Sequence, residues 1–169
     1  MFFTFVLWFV GVSFPYRPAA LAGRLLSILN RKEKMRISIF RMAHFNAAHR
    51  LHNDHWTDEK NEAVYGKCNN PHYHGHNYEV EVRLTGEVDE ETGFLFDLGE
   101  LKHLIKIHIE DRYDHKNLNL ECPEFKDINP SAEYICFNIH KIMREVIDDK
   151  FEIGVKLWET PRNYVQYPA

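Results

Sequence analysis

His74-Gly75-His76-Asn77-Tyr78-Glu79-Val80-Glu81-Val82-Arg83-Leu84 decides the fold. His74, His76, Tyr78, Val80, Val82 and Leu84 fall on one face, and Asn77, Glu79, Glu81 and Arg83 on the other, the period of two that marks a half-buried strand over residues 74–86. Two histidines therefore sit at the mouth of an apolar face. Upstream, residues 36–49 alternate in the same way, with Phe45, Ala47 and His49 sharing a face. Between these strands, residues 50–72 are polar and irregular, a long loop of the kind that carries function in compact domains.

Downstream, Glu87 to Gly93 is turn-rich and Phe94-Leu95-Phe96 reads as a short strand. Asp97, with Glu100 three residues on, caps a helix whose stripe is Leu98, Leu101, Ile105 and Ile109. Residues 114–130 return to loop, ended by Pro130, and Ser131 caps a second helix carrying Ile135, Ile139, Ile142, Met143 and Val146. Phe151, Ile153, Val155, Leu157 and Glu159 then line one face of a strand, and a turn at Pro161-Arg162-Asn163 leads to a closing strand, Tyr164 to Tyr167. The order strand, strand, helix, helix, strand, strand (ββααββ) is that of an α+β domain. Glu159 continues an apolar row, where a carboxylate needs a partner or a ligand.

The 169 residues, 44% hydrophobic and 27% charged, suit one globular domain. Net charge is −4 overall, divided as +4 on residues 1–34 and −8 on residues 35–169. An acidic body disfavours nucleic acid and anionic membrane as partners. The apolar run Phe2 to Phe14 is shorter than the ~20 residues a membrane-spanning helix needs. Ala20-Leu21-Ala22 resembles a signal cleavage site, but no cation precedes the run and Arg17 interrupts it. The reading adopted is an extension over residues 1–34 outside the fold, with the domain over 35–169 and Met35 as its effective start. Three cysteines, Cys68, Cys122 and Cys136, form no disulfide framework and point to a reducing, cytoplasmic setting.

All eleven histidines lie after Met35, seven of them between His44 and His76. His74 and His76, at i and i+2 on a strand, point the same way, and His49 on a paired strand can complete three imidazole ligands to Zn²⁺ with one position open. His44, His52, His55 and His72 are further candidate ligands. The absence of a paired-cysteine motif argues against a zinc finger. Cys68, beside Lys67 and near this metal, can act as base or nucleophile if its pKa is depressed. Cys122 and Cys136 read as structural. Asp114-His115 can form a proton relay where the carboxylate orients the imidazole.

Phe45-Asn46-Ala47-Ala48-His49-Arg50-Leu51, Gly66-Lys67-Cys68-Asn69-Asn70-Pro71-His72-Tyr73-His74-Gly75-His76-Asn77-Tyr78, Asp114-His115-Lys116-Asn117-Leu118 and Glu159-Thr160 closely resemble the 6-pyruvoyl-tetrahydropterin synthase family, which includes the 6-carboxytetrahydropterin synthases of queuosine biosynthesis. The resemblance covers residues 36–168. It implies a tunnelling fold: a four-stranded antiparallel sheet with two helices on one face, trimers closing a β-barrel, and two trimers forming a hexamer. It also implies 7,8-dihydroneopterin triphosphate as substrate, zinc on His49, His74 and His76, Cys68 as proton-abstracting base, Asp114 and His115 as a relay at a neighbouring subunit's edge, and Glu159 as anchor of the pterin ring. The product is the 6-pyruvoyl or the 6-carboxy compound. The six-residue step from Cys68 to His74 is more like the 6-pyruvoyl branch. Lys67, Arg50 and Lys116 are cations near these motifs. Two other classes are a non-catalytic zinc-containing pterin-binding protein, which does not call for Cys68, Asp114 and His115, and a metal-dependent hydrolase, for which no carboxylate stands beside the ligands.

Overall fold

Strand β1 (Arg36–His49) pairs antiparallel with β2 (His74–Glu87) along its whole length, from Arg36 opposite Glu87 to His49 opposite His74. The computed structural model describes residues 34–169, so the reading of the amino-terminal extension lies outside the described residues. Because side chains alternate, Phe45, Ala47 and His49 of β1 and Tyr78, Val80, Val82 and Leu84 of β2 are buried on one face. On the far side of β2 runs β4 (Glu152–Thr160), followed by β5 (Asn163–Tyr167), both antiparallel to their neighbours.

A further strand corrects the four-stranded antiparallel expectation. β3 (Lys116–Asn117) adds to β1 in parallel, giving a mixed sheet of order β3-β1-β2-β4-β5. Two residues carry no periodicity, so the sequence offers nothing to detect there. The strand forms because His115 takes a left-handed backbone, φ 58°, and donates its N–H to Asn46 O at 2.7 Å, which lays the following residues along β1.

Helices cover the buried face. α2 (Leu98–Ile105) continues through a π-helical turn, Lys106–Glu110, into α3 (Asp111–Tyr113). It buries Leu101, Ile105, Ile109 and Tyr113 against the sheet, whereas Leu98, expected in the stripe, is 51% exposed. α5 (Ala132–Val146) buries Ile135, Cys136, Ile139 and Met143. The two expected helices are therefore present, but the segments expected as loops, 50–72 and 114–130, hold helical turns as well. α1 (Asp58–Tyr65) and a 3₁₀ turn, Gly66–Asn69, occupy the first long loop, and α4 (Leu118–Glu121) the second. α1 escapes hydrophobic periodicity because its buried residue is Asn61, whose amide bonds Asn53 N, Asn53 O and Thr57 O. Phe94–Phe96 is no strand: Leu95 instead packs over Gly86, where its Cδ1 would lie 2.9 Å from an added Cβ.

The two caps differ in kind. Asp97 Oδ1 accepts from Gly99 N at 2.6 Å and Glu100 N at 3.3 Å, while the Ser131 side chain makes no cap bond. Asp97→Ala is accordingly expected to cost about 1 kcal/mol of unfolding free energy, and Ser131→Ala less than about half of that, in denaturant titrations.

Candidate metal centre and active site

The β1–β2 register places His49 opposite His74 and Ala47 opposite His76, so three imidazoles meet at the end of the apolar face. Ring centroids lie 4.4 Å apart for His49 and His74, 5.0 Å for His49 and His76, and 4.9 Å for His74 and His76. His49 Nδ1 donates to Pro130 O at 2.7 Å, which fixes the tautomer and turns the Nε2 lone pair inward, 2.9 Å from His74 Nε2. The ligand atoms of the three all lie within 4.8 Å of one another. His76 Nε2 and His74 Nδ1 are buried without a hydrogen-bond partner among the described residues. Buried polar atoms without partners are uncommon and call for an explanation, and a cation between the rings supplies one for His76. Burial, and secondarily the two neighbouring imidazoles, push His49 down to about 4, and burial also lowers His74. Both are therefore neutral near pH 7, the form that binds metal. This group fits a divalent metal. His44, His52, His55 and His72 stand outside it.

Glu159, near the end of β4, brings its Oε1 to 3.7 Å from His49 Nε2 and 3.8 Å from His76 Nε2. Its carboxylate thus faces the histidines from the end of the apolar row, correcting the expectation that no carboxylate stands beside the ligands, because β4 brings in a residue far away in the chain. Cys68 lies on the 3₁₀ turn and, with His74 and His76, lines a cleft of about 940 Å³ that also includes Arg50, Lys67, Asp58 and Glu62. The expected depression of the Cys68 pKa is not found. Burial pushes the thiol up and the Glu159 charge adds to this, with no compensating effect from Lys67. A cation in the cleft is what the thiolate would require.

Asp114 and His115 are joined to each other, Asp114 Oδ2 to His115 Nδ1 at 2.9 Å, but not to Cys68. They are pinned to the edge of β1 by the Asn46 N–H, donated to Asp114 Oδ1 at 2.8 Å. That bond first, and His115 after it, hold the Asp114 carboxyl below its usual range. His115, 81% exposed on its side chain, lines a separate concavity of about 450 Å³ with Asn46, Gly75, His76 and Asn77. Lys116 lines the same concavity and is paired with Glu121 at 3.1 Å, away from the Cys68 cleft.

Sequence reading misses the supporting groups. The Pro130 carbonyl that orients His49 is backbone and has no sequence signature. Asn129 beside it accepts from His52 N at 3.0 Å and donates to the Tyr65 hydroxyl at 3.1 Å, tying this carbonyl to α1. Tyr73, just before His74, takes a left-handed backbone, φ 63°. Left-handed backbone at non-glycine residues concentrates at functional sites, here Tyr73 and His115.

The family model described as 6-pyruvoyl tetrahydropterin synthase matches residues 38–169. A 6-pyruvoyl tetrahydrobiopterin synthase of Poecilia reticulata is 40% identical over 129 residues, 76% of this chain and 88% of the relative. The human 6-pyruvoyl tetrahydrobiopterin synthase is 38% identical over 129 residues, 76% and 89% of the two chains. The solved structure of Caenorhabditis elegans 6-pyruvoyl tetrahydropterin synthase superposes with a TM-score of 0.74 at 34% identity, covering 79% of this chain and 96% of that one. With the match spanning nearly the whole described chain, this protein belongs to the 6-pyruvoyl tetrahydropterin synthase family.

Proposed function

We propose that the protein is a zinc-dependent lyase acting on 7,8-dihydroneopterin triphosphate, with His49, His74 and His76 as metal ligands. One observation carries this reading: three imidazoles converge with the Glu159 carboxylate beside them, and two of the three, His74 and His76, line the cleft that holds Cys68. Bound there, zinc supplies positive charge that opposes the effect of Glu159 on the Cys68 thiol, and Lewis acidity toward a side-chain hydroxyl of the substrate. Cys68, as thiolate, removes the proton from the carbon bearing that hydroxyl. The electron pair of that C–H bond passes into the conjugated ring C=N bond, which takes up a proton. Loss of the proton from the second hydroxyl-bearing carbon then forms a C=C bond toward the terminal carbon, whose C–O bond breaks with its electron pair leaving on triphosphate. Glu159 accepts hydrogen bonds from the pterin ring N–H and amino group, which stabilises a carboxylate otherwise poorly matched to its apolar row.

Asp114 and His115 act from a neighbouring subunit, moving a proton at the edge of its cleft. Two features support this arrangement. The pair is exposed at the sheet edge, and among the described residues no strand covers the outer edge of β1 over Arg36–Ala43 or the outer edge of β5. Those edges close a ring when copies join head to tail, as in a trimeric barrel. The product is the 6-pyruvoyl compound, supported by the names of the relatives at 40% and 38% identity and by the Cys68-to-His74 spacing.

Incubating zinc-replete protein with 7,8-dihydroneopterin triphosphate tests the reading. Triphosphate release without acetaldehyde is expected. Acetaldehyde would assign the 6-carboxy branch, which loses a two-carbon fragment, and no triphosphate release would overturn the lyase. Glu159→Gln is expected to raise KM by about 10- to 100-fold, the worth of a charge-assisted hydrogen bond, with zinc content unchanged. In the metal-free protein the same variant should move Cys68 alkylation to lower pH, since the carboxylate that raises the thiol pKa is gone. Zinc loss in the variant would contradict the anchor role.

A further inference from the structure

Arg50 follows His49 at the end of β1, two residues past Ala48, where its ladder with β3 ends. Asn119 takes over as strand partner there: its Oδ1 accepts from Arg50 N at 2.8 Å and its Nδ2 donates to Arg50 O at 2.9 Å. With its backbone held, the Arg50 side chain reaches the turn that carries Cys68. Nε donates to Asn69 O at 2.9 Å and Nη2 to Asn69 Oδ1 at 3.1 Å, and His52 Nδ1 lies 2.8 Å from the same Oδ1 and 3.1 Å from Arg50 Nη2. Leu51 N donates to Cys68 O at 2.8 Å. The turn Gly66–Asn69 is thus docked on three consecutive residues, 50–52, immediately after a metal-ligand candidate.

We infer that Arg50 is a positioning residue for Cys68, its guanidinium forked onto Asn69 to fix the thiol relative to the three histidines, rather than a cation for the triphosphate. The inference rests on the reading of Cys68 as the base. The chemistry distinguishes the two roles. A phosphate-binding cation can be replaced by lysine with modest loss, whereas one ammonium cannot reproduce a planar fork on two acceptors. Truncating Asn69 removes the Oδ1 arm of the fork and leaves only the bond to Asn69 O, which harms a positioning device and leaves an anion-binding one intact.

The test compares wild type, Arg50→Lys, Asn69→Ala and the double variant, each checked for zinc content. Arg50→Lys and Asn69→Ala are each expected to lower kcat for triphosphate release by about 30- to 100-fold, the scale of an ångström-sized misplacement, with KM within about threefold. The double variant is expected to be no worse than about threefold below the slower single one, because both changes break one contact. Alkylation of Cys68 by iodoacetamide, without substrate, should change by at least about fivefold in the same variants as the turn is released. A near-wild-type kcat in Arg50→Lys, a raised KM at unchanged kcat, or wild-type rates in Asn69→Ala would overturn the inference. Asn69→Ala keeps the test decisive should Arg50→Lys not fold. A wild-type protein that releases no triphosphate would instead count against the proposed function, and the alkylation rates would still decide whether Arg50 docks the turn.

Discussion

Cys68→Ala is expected to lower kcat by about 10³-fold, within the range that one acid–base group contributes, while zinc content and KM stay close to wild type. The expectation follows from where Cys68 sits. It lines the cleft with His74 and His76 but makes no side-chain hydrogen bond among the described residues, so its removal leaves the sheet, the caps and the three imidazoles intact. Cys68→Ser should be nearly as slow, because a hydroxyl is far harder to ionise than a thiol, and the surroundings already resist ionisation there. Rates measured at zinc saturation, with metal content determined on the same samples, separate this loss from a metal effect. A variant retaining more than about a tenth of wild-type kcat would remove Cys68 from the proton-transfer step.

The second large effect is expected at His76. Its Nε2 is buried without a hydrogen-bond partner among the described residues, the Glu159 carboxylate standing 3.8 Å away, so His76→Ala sacrifices no hydrogen bond in the metal-free chain. The metal-free variant should unfold within about 1 kcal/mol of wild type. Zinc affinity, in contrast, should fall by more than about 100-fold, since loss of an outer partner of a ligand alone costs 10- to 100-fold. Competition with a chromophoric chelator measures the affinity, and denaturant titration of the metal-free protein measures the stability. This pairing of a large metal effect with a small folding effect is the signature of a ligand. His49→Ala would be less informative, because it also strips the Pro130 carbonyl of its donor inside the core.

Much of this arrangement was legible because it depends on local periodicity. Residues 74–86 and 36–49 separate apolar from polar faces cleanly, since one face meets helices and the other does not, and the same alternation aims His49, His74 and His76 together. The Asp97 cap was legible because its carboxylate does what the residue type suggests. What stayed hidden depends on contacts distant in sequence or on backbone. β3 is two residues held by a bond from His115 N to Asn46 O, and α1 buries an asparagine rather than a hydrophobic stripe. The Cys68 pKa was misjudged from its neighbour Lys67, whereas Glu159, ninety-one positions away in the chain, acts on it through space. The carboxylate was recognised as misplaced in an apolar row, but its approach to His49 and His76 required the β4 strand to be set beside β2.

The separation of Asp114–His115 from Cys68 has the same origin. Adjacent residues in a motif say nothing about which cavity they border, and here His115 lines one concavity and the thiol another, with His76 bordering both. In the proposed assembly the relay reaches Cys68 from a second chain, and activity is expected to be lost on dissociation into monomers.

The proposed chemistry requires an open metal site with Cys68 free to act as base. X-ray absorption at the zinc edge of the substrate-free protein tests it directly. The expected result is three imidazole nitrogens plus one light oxygen or nitrogen scatterer at about 2.0–2.1 Å, with no sulfur. A sulfur scatterer at about 2.3 Å that disappears in Cys68→Ala would make the cysteine a fourth ligand, close the site, and contradict the account.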